Sequence, residues 1–133
     1  MTFRTSLLAV AVVAVPAGAQ APAAQSNSPA ADASLYGQSV TLPKQAAVCA
    51  EHLPGYLPRF QALYDAWVKE NAVQIATGSQ VIHEAAAKGG VDADAGMAKL
   101  AQADVERLRG ITPELLARHC ELMLEAMAPP LAN

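Results

Sequence analysis

Apolar positions fall along this chain in groups of different spacing, and the spacing predicts the elements. Residues 7–15 form an unbroken run of Leu, Ala and Val, ended by Pro16. Residues 20–43 are rich in Ala, Pro, Ser and Gln and show no sustained period, which predicts a flexible arm. From Lys44 the pattern turns helical. Residues 44–52 read as a short helix carrying Ala46, Val48 and Cys49, closed by a Pro54-Gly55 turn. From Pro58, the apolar positions Phe60, Leu63, Tyr64, Trp67, Ala72 and Ile75 recur at steps of three and four. The stripe runs on through Ile82 and Ala86 to Gly89-Gly90 and predicts one long helix. Gly78 interrupts it at a cost of about 1 kcal/mol relative to alanine. That cost implies a bend, or a second backbone packed close.

A third helix follows, capped by Asp92, with Met97, Leu100, Ala101, Val105 and Leu108 on its apolar face and Gly110 at its end. Thr112-Pro113-Glu114 starts a fourth as cap, first-turn proline and first-turn acid. Leu116, Cys120, Met123 and Met127 share one of its faces, and Pro129-Pro130 closes it. The expected fold is all-α: a small antiparallel bundle of three main helices plus one short N-terminal helix over residues 44–128, with a tail at 129–133.

Arg4, the apolar run and the small-x-small triplet Ala17-Gly18-Ala19 together predict that residues 1–19 are a signal peptide. A membrane span needs roughly 20 apolar residues, so this run predicts translocation without a stable membrane anchor. The expected location is periplasmic or secreted. Removing residues 1–19 takes away Arg4 and no acid, so the net charge of −3 becomes −4. That balance lacks the basic footprint that nucleic acid or anionic lipid requires. The 53% hydrophobic fraction also falls in meaning, because alanines and the leader inflate it. What remains is a domain small enough to need a staple.

The two cysteines, Cys49 and Cys120, supply one. An even pair in an exported chain predicts a disulfide, and a loop of this length is worth roughly 4 kcal/mol of unfolded-state entropy. The rival reading is a metal site from Cys49, His52, His119 and Cys120. Adjacent helical residues diverge by about 100°, so His119 and Cys120 converge poorly on one ion. Neither a metal nor any other cofactor is therefore expected. His83-Glu84 lacks the second histidine of a zinc-protease helix, since position 87 is Ala. Neither a Cys-x-x-Cys-His nor a Gly-x-Ser-x-Gly pattern occurs, and no catalytic residue is assigned. Met97, Met123 and Met127 read as core filling.

One helical face runs from aromatic to amide: Phe60, Tyr64, Trp67, Asn71 and Gln74. It is the candidate binding groove, with rings for area and amides for orientation. The expected function is a non-enzymatic exported interaction module that holds a protein partner in the cell envelope. A small-ligand carrier with a pocket around Trp67, Tyr64 and Asn71 is the alternative. A hydrolase using His83 or His119 with Glu84 or Glu121 is the third reading.

Overall fold

Ser28 opens the folded part: its hydroxyl accepts the Ala31 N–H at 3.2 Å, and Pro29 takes the first helical position. The computed structural model describes residues 28–130. The helices among them are α1 (Pro29–His52), α2 (Tyr56–Glu70), α3 (Ala72–Lys88), α4 (Ala93–Arg109) and α5 (Pro113–Met127), with no strand. The expected signal peptide, the arm residues 20–27 and the last residues of the tail, 131–133, lie outside the described residues.

Two sequence expectations change. Residues 29–43 are not a flexible arm; they form the first fifteen residues of α1, and the short helix 44–52 is its second half. α1 packs on all four other helices, so its sides do not divide into a buried stripe and a solvated one. The expected long helix starts at Tyr56 and is broken at Asn71, where φ is −102° and ψ is 16°. The Asn71 side-chain amide donates to the Trp67 carbonyl at 2.8 Å and its backbone N–H to the same oxygen at 3.0 Å, which closes α2. The apolar stripe runs across this break without a gap.

α1 also continues through an internal proline, Pro43. Proline has no N–H, so the carbonyl four residues back, Ser39, loses its helical partner. Tyr64 of α2 replaces it: its hydroxyl donates to the Ser39 carbonyl at 2.6 Å. A cross-helix bond thus stands in for the missing ladder bond.

α4 lies parallel to α1. Gln45 bonds Asp104 at 3.1 Å and Glu51 bonds Arg109 at 2.8 Å, so both helices advance together. α3 meets α1 where Gly78 touches the Asp32 backbone, and α5 meets it where His119 bonds Gln45. The packed core sits at one end, where Val48 and Cys49 of α1 meet Tyr56, Phe60, Leu108 and Leu116. Cys49 and Cys120 are disulfide-bonded within it, with Cα atoms 5.8 Å apart and both residues fully buried. Tyr56 locks α2 to α5 there, its hydroxyl donating to the Cys120 carbonyl at 2.9 Å. Burial, then the nearby Glu121 charge, pushes that phenol up to about 12.

The other end is built differently. Gly78 is the one buried residue of α3. A Cβ there would stand 1.9 Å from the Asp32 carbonyl oxygen, so α1 and α3 touch backbone to backbone. The close approach, not a bend, explains the glycine.

Candidate functional site

The aromatic residues of α2 form a ladder. Tyr56, Phe60, Tyr64 and Trp67 follow at helical steps, with successive ring centroids 6.4, 5.2 and 6.1 Å apart. The first three rings serve the core and the α1 backbone. The last, Trp67, lines a cavity. Its volume is about 270 Å³, and it is walled by Gln38, Leu42 and Gln45 of α1, Trp67 of α2, and one face of α5. Leu122, Met123 and Met127 supply the apolar part of that face, and Leu122 is 44% exposed at the mouth.

Of the five residues expected to share a groove, the structure brings Trp67 to this cavity. Phe60 is buried in the core, Tyr64 holds the Ser39 carbonyl, and Asn71 caps α2. Gln74 is half-buried on α3 and lines neither this cavity nor the one between α1 and α4.

The polar members lie outside the expected groove. Gln45 is 8% exposed, and a buried amide must be paired at both ends. Its nitrogen donates to Asp104 Oδ2 at 3.1 Å, which turns its oxygen toward His119 Nε2 at 2.9 Å. A carboxylate only accepts, so this order fixes the tautomer: Nε2 of His119 carries the proton and donates to Gln45. In the neutral ring Nδ1 is then a lone-pair acceptor, and it makes no hydrogen bond among the described residues. Burial, then the Arg107 charge, lowers the His119 pKa, with Asp104 opposing. The imidazole is therefore neutral near pH 7.

The site is a largely apolar pocket whose polar lining is Gln38, Gln45 and His119. Comparison of the chain with protein-family models, curated proteins and solved structures finds no match in any of the three.

The histidine–acid pairs expected of a hydrolase are not formed. Glu121 is held by Arg59 through two bonds of 3.2 and 3.1 Å, and His119 turns to Gln45. His83 faces the Ser79 carbonyl at 2.8 Å and Asp94 Oδ1 at 3.1 Å, and makes no hydrogen bond to Glu84. Both partners of His83 are acceptors, which favours the doubly protonated ring. The Ser79 carbonyl bond raises its pKa most; desolvation opposes the rise, and the Asp94 bond with the Asp94 and Asp92 charges adds to it. A ring so held does not take a proton from the Ser79 hydroxyl 3.4 Å away.

Proposed function

We propose that the protein is a small exported, non-enzymatic interaction module that holds a protein partner in the periplasm or outside the cell through the Trp67 pocket. The leader-like pattern of residues 1–19 and the disulfide support export. The pocket carries the binding reading. At about 270 Å³ it falls below the roughly 300–1,000 Å³ typical of small-molecule sites. It matches one large apolar side chain of a partner, inserted beside Trp67 and Leu122.

The test is capture from the native envelope with wild-type protein and with Leu122→Glu, a change at an exposed position. A partner retained by the wild type and lost by the variant, with Tm unchanged, supports the pocket. Equal capture by both removes it.

A small-ligand carrier is the second reading, favoured by the enclosure around Trp67 alone, since Tyr64 and Asn71 are engaged elsewhere. A small molecule seen by native mass spectrometry, and displaced in Trp67→Ala, would select it.

A further inference from the structure

A larger cavity, about 430 Å³, lies between α1 and α4. Gln38 and Leu42 face the Trp67 pocket, whereas Tyr36 and Val40 face this one. Two residues on a helix are about 200° apart, so the two cavities lie on opposite sides of α1. The α1–α4 cavity has an apolar floor of Val40, Met97, Ala101 and Val105. Its volume is within the range of small-molecule sites.

Its two ends differ in charge. At one end stands Lys44, exposed, with no carboxylate within 4 Å among the described residues. At the other stand Tyr36 and Asp94. The Asp94 charge is engaged by His83 at 3.1 Å, and the His83 ring lies 6.1 Å from that of Tyr36. Asp94 thus has a hydrogen-bonding partner in His83, whereas Lys44 has no carboxylate partner among the described residues. The groove offers one cation without a carboxylate partner, an apolar floor and a polar far end. Lys44 and Tyr36 are eight residues apart on α1, about 12 Å along its axis. With C–C bonds of about 1.52 Å, an extended alkyl chain of roughly ten carbons spans that length.

We propose that this groove binds a medium-chain alkyl anion, its head paired with Lys44 and its chain lying on Val40, Met97 and Ala101. The charge selects the head, and the floor selects the tail. The site is independent of the Trp67 pocket, and the two readings stand or fall separately.

The experiment is an NMR titration of protein expressed from the 133-residue sequence, using sodium decanoate, decyl phosphate and decyltrimethylammonium. Decanoate and decyl phosphate separate a carboxylate from a phosphate head. Either anion is expected to give saturable shifts at Val40, Met97 and Ala101. Lys44→Glu is expected to weaken that binding by about tenfold or more, because a charge-assisted contact is lost and a repulsion added. Ala98→Trp, at an exposed lining position, is expected to abolish it by filling the groove. Both positions are on the surface, and unchanged circular dichroism confirms that the variants fold. Three results would each overturn the proposal: no saturable shifts with either anion, equal affinity in Lys44→Glu, or shifts confined to the surroundings of Trp67. Binding of the decyl cation as tight as that of the anions would do so too.

Discussion

At the scale of single residues, Tyr64 shows how a side chain can repair a backbone. Pro43 removes one N–H from α1, and the Tyr64 hydroxyl meets the carbonyl that it strands. Tyr64→Phe should cost about 1 kcal/mol, the usual value of one such bond. In a Pro43→Ala background the ladder N–H returns, and the same change should cost clearly less. Chemical denaturation of the four proteins gives the coupling, and equal costs in both backgrounds would separate the two residues. The histidines make opposite predictions. His83 has a raised pKa, so its contribution is present below its unfolded value near 6.5 and is lost as pH rises through the folded pKa. His119 has a lowered pKa, so its contribution is present above 6.5 and is lost as pH falls toward the folded pKa. Tm profiles of His83→Gln and His119→Gln, each subtracted from wild type, should therefore slope in opposite directions with pH.

The elements show which signals survive in sequence and which do not. α4 and α5 were legible, because each buries one stripe and begins with a capping side chain, Asp92 or Thr112. The first half of α1 was not: most of its residues there are small or polar, and Pro43 reads as a stop. The break at Asn71 was hidden because the stripe crosses it. Trp67 was legible in the site, whereas Gln45 and His119 were not, since they are 74 residues apart in sequence. The disulfide held the missing signal. Gln45 precedes Cys49 by one helical turn and His119 adjoins Cys120, so pairing the cysteines brings amide and imidazole together. Gly78 gives the prediction at this scale. Gly78→Ala must push α3 off α1 and should cost about 1–3 kcal/mol, the usual penalty of overpacking. Gly96, also helical, has open space where a methyl group would stand, with nothing within 4 Å, so Gly96→Ala should instead gain up to about 1 kcal/mol. Urea denaturation of both variants checks the contrast, and a neutral Gly78→Ala would mean that α1 and α3 do not touch there.

Across the whole molecule, stability is concentrated where the disulfide lies. The main core cluster draws on the second half of α1, on α2, on the end of α4 and on α5, and takes nothing from α3. α3 is held by backbone contact with α1, by half-buried Ile75 and Ile82, and by the exposed His83–Asp94 pair. Such a helix is expected to open locally, at a free energy below that of global unfolding. The disulfide connects α1 to α5 and does not restrain that local opening. Replacing both cysteines, Cys49→Ala with Cys120→Ala, raises the entropy of the unfolded chain and should lower global stability by up to roughly 4 kcal/mol. Amides of α2 and α5, which exchange only through global unfolding, should lose protection in proportion. Amides of α3 exchange through their own opening and should keep nearly the rate they had. Hydrogen exchange of the wild type and the double variant reads both quantities in one experiment. An equal loss of protection in α3 and α5 would show instead that the five helices open as one unit, with the disulfide acting on all of them.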